Sequence, residues 1–233
     1  MKKQSVEFKV GEDTLRGALF IPDGKGPFPA VIFFHGSEST GDTYFELAEK
    51  IAQKGIVGFA FNLRGCGISD GNIKEQTMGM GREDVKVALK LLLSQEEIDL
   101  HRIGVLGSSY GGFLASLVAC EYNFKSIALV VPAAYAPSSM SLIHGTHIQE
   151  MEDFNKSISY QEIKKFKGDL LVIRAELEDL LPEGMAEKYF EVAINANKKE
   201  DYLLKEAGHR IKLNPNAKKA LIDKATSWFL ETL

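Results

Sequence analysis

Residues 102–120 read Arg-Ile-Gly-Val-Leu-Gly-Ser-Ser-Tyr-Gly-Gly-Phe-Leu-Ala-Ser-Leu-Val-Ala-Cys. An apolar run precedes the Gly-Ser-Ser-Tyr-Gly pattern at 107–111, and an apolar segment without charge follows it as far as Glu121. This Gly-x-Ser-x-Gly pattern between a buried strand and a buried helix predicts a sharp turn that exposes a serine Oγ. Ser109 is the serine in frame, because the glycines two residues to either side of it let the strand and the helix approach closely.

The composition is that of an ordinary globular protein. The chain has 233 residues, of which 45% are hydrophobic and 26% are charged, so we expect one domain with a full core. The net charge is −4 and there is no cluster of Lys and Arg, which argues against nucleic acid or an anionic membrane as a partner. The oligomeric state is left open by these features.

Compartment signals point in one direction. Cys66 and Cys120 lie far apart in the sequence and in no metal-binding spacing, which favours a reducing compartment. The first ten residues alternate polar and apolar side chains, and no apolar run reaches the length of a membrane span. We therefore expect a cytoplasmic protein without a signal peptide or a transmembrane segment.

Strand and helix patterns alternate along the rest of the chain. Residues 5–10 and 14–21 alternate with period two and predict an antiparallel hairpin at a sheet edge. Further strands are predicted at 30–34, 56–61, 126–131, 168–174 and 202–205, and helices at 40–54, 82–94, 183–196 and 217–233. Residues 78–81 are interpreted as a loop that enters the second of these helices. The pattern predicts an α/β fold with a doubly wound, mostly parallel sheet.

One segment breaks this alternation. Residues 132–167 form a stretch with only a mild helical period near its end, which we interpret as a short cap inserted into a single domain of residues 1–233.

Five motifs, in this order along the chain, resemble those of the α/β-hydrolase family. They are His-Gly at 35–36, Arg-Gly-Cys-Gly-Ile-Ser-Asp-Gly at 64–71, the turn at Ser109, an acidic loop before Pro182, and Gly-His at 208–209. The resemblance covers nearly the whole chain and implies a Ser, acid, His order of catalytic residues. Within the family, the chain resembles small-cap esterases and the dienelactone-hydrolase branch, although that branch uses a cysteine where this chain has Ser109.

A serine hydroxyl is a poor nucleophile near neutral pH and needs a base within hydrogen-bond reach. His209 is the candidate, because it lies between a short predicted strand and the last helix, on a loop expected at the rim of the sheet. His35 is interpreted as part of the loop beside the oxyanion site, and His101 as a surface residue.

The carboxylate that orients this histidine is less clear from the sequence. The run Ala-Glu-Leu-Glu-Asp-Leu-Leu-Pro at 175–182 resembles the acidic loop of the family, and counting back from the proline favours Glu178. Asp179 is the alternative, and Glu176 is a more distant third candidate. The resemblance also implies that the backbone amides of Ser37 and Tyr110 form the oxyanion hole, although Ser37 could equally be a turn residue.

The cap supplies candidate substrate contacts, which are Tyr135, Met140, His144 and Phe154. His144, His147 and Glu150 have a spacing that could place ligands on one helical face, but the surrounding Gly and Thr weaken a helix, so no metal site is predicted. Arg64 and Asp84 are expected to pair and to support the loop that follows the strand at 56–61.

These residues lead to a functional hypothesis. The chain is expected to be a serine hydrolase that cleaves a small carboxylic ester, with aryl or hydroxycinnamoyl esters as candidates, through an acyl-enzyme on Ser109. It would need no cofactor, and its partner would be the small-molecule ester. The alternatives are an amide or peptide-bond hydrolase of the same fold and a non-catalytic binding module.

Overall fold

The computed structural model describes residues 1–37, 39–143 and 153–233. These residues form one eight-stranded sheet in the order β1-β2-β4-β3-β5-β6-β7-β8. The strands are β1 (Lys2–Val10), β2 (Asp13–Ile21), β3 (Phe28–Phe34), β4 (Val57–Phe61), β5 (Ile98–Ser108), β6 (Ser126–Val130), β7 (Asp169–Ala175) and β8 (Lys198–Leu204). The α-helices are α1 (Phe45–Ala52), α2 (Met78–Leu93), α3 (Tyr110–Leu117), α4 (Ile158–Lys165), α5 (Met185–Val192) and α6 (Pro215–Thr232).

The first two strands form the antiparallel part of the sheet. β1 pairs with β2, and β2 pairs with β4, both antiparallel. All pairings from β4 through β3 to β8 are parallel. These pairings confirm the predicted α/β class and the predicted hairpin at the sheet edge. The parallel strands are joined by the helical crossovers that the sequence pattern indicated.

Apolar cores lie on both faces of the sheet. Successive residues of β3 alternate between them: Ile32 packs in one core, while Val31 and Phe33 pack in the other. The first core includes the buried side chains of α2, α3, α4 and α5, and the second includes those of α1 and α6. Because both faces are covered, the parallel strands read as continuous apolar runs.

Several predicted boundaries were wrong, and two of them have a clear physical cause. The segment 78–81 is the first turn of α2 rather than a loop, because the Thr77 side chain accepts a hydrogen bond from the Met80 amide at 3.3 Å and caps the helix. β8 begins at Lys198, four residues before the predicted start. It lies at the edge of the sheet, and its charged residues gave no apolar pattern to recognise.

The segment between β6 and β7 is described in part. It contains a 3₁₀ turn at Pro137–Ser141 and α4. The Tyr160 hydroxyl of α4 donates to the Met185 carbonyl at 2.9 Å, and the Tyr189 hydroxyl of α5 donates to the Ala133 carbonyl at 2.7 Å. Buried hydrogen bonds thus attach α4 and the start of this segment to α5.

The predicted pair of Arg64 and Asp84 is present. Arg64 Nε lies 2.6 Å from Asp84 Oδ1, and the Arg64 amide donates to Asp84 Oδ2 at 2.9 Å. Both side chains are buried, and the pair joins the loop after β4 to α2. In the part of the chain that is described, no helix is long and apolar enough to cross a membrane.

Candidate active site

The turn between β5 and α3 exposes Ser109 at the carboxyl end of the sheet. Ser109 has φ 52° and ψ −118°, a backbone conformation that residues other than glycine rarely adopt. A Cβ on Gly107 would lie 2.2 Å from the Gly111 carbonyl oxygen, and a Cβ on Gly111 would lie 2.0 Å from the Phe34 carbonyl oxygen. Only glycine fits at these two positions, as the sequence pattern predicted.

Neighbouring backbone groups hold this strained turn in place. The Ser109 amide donates to the Val130 carbonyl at 2.9 Å, and the Ser109 carbonyl accepts from the Ala133 amide at 3.1 Å. Both partners lie at or after the end of β6, the strand that pairs with β5. Contacts with the end of β6 and with the loop that follows it therefore help to hold the serine in place.

His209 lies between the serine and a carboxylate. Its Nε2 is 2.9 Å from Ser109 Oγ, and its Nδ1 is 2.9 Å from each carboxylate oxygen of Glu178. Because an ionised carboxylate can only accept hydrogen bonds, Nδ1 carries the hydrogen and Nε2 is free to accept from the serine hydroxyl. The His209 side chain is 10% exposed and that of Glu178 is 23% exposed, so the pair is largely shielded from water.

Glu178 is kept ionised by its hydrogen-bond donors. Burial by itself raises the pKa of this carboxyl group, but the hydrogen bond to His209 and those from the amides of Leu180 and Leu181 outweigh burial. The net pKa of Glu178 lies below its ordinary value. The two amides lie 3.0 and 3.1 Å from Oε1, so the turn after Glu178 helps to orient its carboxylate.

The three acidic candidates of this loop make different contacts. Glu178 contacts the imidazole ring of His209, whereas Asp179 Oδ1 accepts the backbone N–H of His209 at 3.2 Å. Glu176 accepts from the Lys205 ammonium at 2.7 Å and from the Glu206 amide at 2.9 Å. Among these three, Glu178 is the carboxylate positioned to act on the ring.

The loop after β3 lies directly beside the serine. A Cβ placed on Gly36 would be 3.3 Å from the Ser109 Cβ, so the backbone that leads into Ser37 passes Ser109 at contact distance. Tyr110 is the first residue of α3, where the helix dipole favours negative charge. Its buried hydroxyl donates to the Met78 carbonyl at 2.8 Å.

His35 supports the loop after β3 and does not contact the triad candidates through its ring. It is fully buried, its Nδ1–H donates to the Gly36 carbonyl at 2.8 Å, and its Nε2 accepts from the Leu63 amide at 3.0 Å. Desolvation lowers the pKa of His35 to about 4, more than the hydrogen bond to Gly36 raises it. The neutral ring therefore joins the loops that follow β3 and β4.

This burial predicts a pH-dependent stability. The pKa of His35 falls from 6.5 in an exposed chain to about 4 in the fold. Between these two pH values the unfolded chain binds a proton that the folded protein does not bind. The free energy of unfolding should fall by up to about 3 kcal/mol as the pH drops from about 6.5 to about 4. Urea unfolding across this range should show a shallower loss for His35→Asn than for the wild type, although that variant is less stable at pH 7.

The control for this measurement is His101→Asn, which changes an exposed histidine at the start of β5. It should keep the wild-type dependence on pH. Identical slopes for His35→Asn and the wild type would contradict the buried, neutral state of His35.

The predicted substrate contacts have different environments. Met140 and Phe154 belong to the segment between β6 and β7. Both are half-buried and pack against the first core. Tyr135 is 1% exposed, and its ring packs edge-on against Phe113 at 4.9 Å between centroids. Tyr135 therefore packs in the core, and its role as a substrate contact stays a prediction.

His144 lies outside the described residues, as do His147 and Glu150. Among the residues that are described, no three His, Cys, Asp or Glu side chains cluster as a metal site would require.

One contact of the residue before Ser109 could not be predicted from the sequence. The Tyr44 hydroxyl donates to Ser108 Oγ at 2.7 Å, and its ring stacks on Phe33 at 5.2 Å between centroids. Tyr44 lies just before α1, more than sixty residues from Ser108, so no local pattern links the two.

Comparisons with known proteins agree with the α/β fold described above. A family model described as the alpha/beta hydrolase fold matches residues 29–145, about half of the chain. Esterase EstD of Thermotoga maritima is 29% identical over 129 residues, which are 52% of this chain and 31% of that protein. The uncharacterized peptidase YuxL of Bacillus subtilis is 26% identical over 234 residues, covering 89% of this chain and 35% of that protein.

A solved structure is similar over almost its whole length. Est1E of Butyrivibrio proteoclasticus, determined with bound ferulic acid, superposes with a TM-score of 0.80 at 14% identity. The match covers 97% of this chain and 98% of that one, and at this identity it shows the fold alone.

The chain belongs to the α/β-hydrolase fold family. It spans less than half the length of the curated relatives described above.

Proposed function

We propose that the protein is a serine hydrolase that cleaves small carboxylic esters through an acyl-enzyme on Ser109. One observation supports this most strongly: Ser109 Oγ, the His209 ring and the Glu178 carboxylate form a continuous chain of 2.9 Å contacts. Serine, imidazole and carboxylate in this order make up a hydrolytic triad.

In the acylation step, Ser109 Oγ attacks the ester carbonyl carbon while its proton moves to His209 Nε2. The tetrahedral intermediate then breaks its bond to the leaving-group oxygen, which takes the proton from Nε2. Glu178 stabilises the imidazolium that exists between these two transfers, because its ionised carboxylate already accepts the Nδ1–H.

Deacylation repeats these transfers with water. A water molecule gives a proton to His209 Nε2 as its oxygen attacks the acyl carbon, and Ser109 Oγ leaves and regains the proton. We assign the backbone amides of Ser37 and Tyr110 to the developing oxyanion. Each such donor contributes roughly 3 kcal/mol in enzymes of this kind.

The preferred bond is proposed to be a small ester, and aryl or hydroxycinnamoyl esters are the first candidates. The similarity to EstD supports an ester, and the ferulic acid bound to Est1E supports an aromatic acyl group. Peptide-bond hydrolysis is the second candidate, because YuxL, described as a peptidase, matches 89% of this chain.

A substrate panel tests the two candidates. p-Nitrophenyl acetate, p-nitrophenyl butyrate and methyl ferulate are compared with alanine p-nitroanilide, which offers an amide bond and the same type of coloured product. We expect turnover of the esters and an anilide rate at the buffer background. Anilide turnover at a rate comparable to that of the esters would favour the peptidase, and inactivity toward every substrate would favour a binding module.

A further inference from the structure

The loop after β7 holds the main chain of the loop that contains His209. The Leu177 amide donates to the Ala207 carbonyl at 2.8 Å, and the Glu176 carboxylate accepts the Glu206 amide at 2.9 Å. Glu206 lies three residues before His209 and has φ 55°, in the left-handed region. The hydrogen bond from its amide to Glu176 helps to hold it in this strained conformation.

Asp179 provides the last contact of this series. Its Oδ1 accepts the backbone N–H of His209 at 3.2 Å. A Cβ on Gly208 would lie 3.5 Å from the same oxygen and 3.4 Å from the Leu177 carbonyl oxygen, so the two loops are in close contact there. The carboxylate therefore fixes the backbone of the residue whose ring joins Ser109 to Glu178.

We propose that Asp179 is a positioning residue for this reaction, setting the backbone of His209 so that its ring meets Ser109 and Glu178 together. This inference rests on the proposed function of the site. The ring must satisfy contacts of 2.9 Å on both of its nitrogens, and a side chain with two rotatable bonds can do so from few backbone positions. Small displacements of a base from its nucleophile have large effects on rate.

The contact pattern separates this role from that of the triad acid. Both oxygens of Glu178 lie 2.9 Å from Nδ1, so the single hydrogen on that nitrogen is already bound. Asp179 instead binds a main-chain hydrogen, which does not move during the reaction. What Asp179 must supply is an acceptor atom at a fixed place, and an asparagine Oδ1 can supply the same atom.

Three variants test the proposal with p-nitrophenyl acetate as substrate. Asp179→Ala removes the acceptor and should lower kcat roughly tenfold, with KM within about twofold of the wild type. Asp179→Asn keeps the acceptor and should restore kcat to within about twofold of the wild type. Glu183→Ala removes an exposed carboxylate farther along the same loop and serves as the control for lost charge, with kcat unchanged.

A fourth variant and a stability measurement exclude a folding defect. Urea unfolding midpoints of all variants should match the wild type, because the Asp179 side chain is exposed. If Asp179→Ala fails to fold, Asp179→Glu gives the same test, since it keeps the charge and moves the acceptor by one methylene; its kcat should also fall.

The outcomes are distinguishable from a failure of the proposed function. An active wild type with an equally active Asp179→Ala would overturn the positioning role alone. Equal losses in Asp179→Asn and Asp179→Ala would also overturn it, because charge rather than an acceptor would then be required. A wild type without ester turnover would overturn both this inference and the proposed function.

Discussion

Ser109→Ala is expected to lower kcat for p-nitrophenyl acetate by about 10⁴- to 10⁶-fold. The variant lacks the oxygen that attacks the carbonyl carbon in the proposed mechanism, the Ser109 Oγ that lies 2.9 Å from His209 Nε2. Stopped-flow kinetics should also show that the burst of p-nitrophenol, which reports acyl-enzyme formation, disappears. Binding should survive, because the remaining walls of the site are unchanged.

Ser108→Ala is the matched control for this variant. Ser108 is the adjacent serine, but its Oγ bonds to the Tyr44 hydroxyl at 2.7 Å beneath the turn. The Ser108→Ala variant should keep kcat within about tenfold of the wild type, because it loses only one hydrogen bond. Comparable losses in the two variants would mean that the serines support the turn and that neither is the nucleophile.

Glu178→Gln is expected to lower kcat by about 10³- to 10⁴-fold. In the proposed mechanism an imidazolium forms when His209 accepts the serine proton, and a neutral amide cannot stabilise that charge. The amide NH₂ group can also donate to Nδ1, which would favour the tautomer with its hydrogen on Nε2. Because the pKa of Glu178 lies below its ordinary value, the carboxylate is ionised at neutral pH and the substitution removes a full charge. The measurement is kcat and kcat/KM on the same ester.

Asp179→Asn is the comparison that makes this result specific. It removes the neighbouring charge but keeps an acceptor for the His209 amide, so its activity should be close to that of the wild type. A large loss in Asp179→Asn together with a small loss in Glu178→Gln would transfer the role of triad acid to Asp179.

Much of the site could be predicted from the sequence because its chemistry is tied to backbone geometry. The turn at Ser109 requires glycine at positions 107 and 111, and the structure shows that a Cβ at either would collide with a carbonyl oxygen. The buried parallel strands were predictable for the same kind of reason, because a strand covered on both faces must be apolar throughout.

The contacts of the acidic loop could be predicted only in part. Glu178 and Asp179 are adjacent carboxylates, and a one-residue shift in the path of the backbone would exchange their partners. The amides of Leu180 and Leu181 fix the Glu178 carboxylate, and they depend on a local turn that residue types alone do not specify. The sequence could therefore rank these two acids, but it could not assign their separate contacts.

Tyr135 and the start of α2 show the effect of tertiary packing. No periodic pattern around Tyr135 predicts its burial, yet it packs against the rings of Phe113 and Tyr110. The glycines at 79 and 81 argue against a helix, but at position 81 a Cβ would lie 2.1 Å from the Tyr110 hydroxyl oxygen. Distant contacts, which local patterns do not encode, decided both cases.

The proposed role of Ser109 as a nucleophile activated by His209 can be tested by locating a covalent adduct. The protein is treated with a fluorophosphonate, digested and mapped by mass spectrometry, with His209→Ala treated in parallel. We predict one adduct per chain, on Ser109, forming much more slowly in His209→Ala. An unmodified wild type, or a single adduct on another residue such as Ser108, would contradict a nucleophilic role for Ser109.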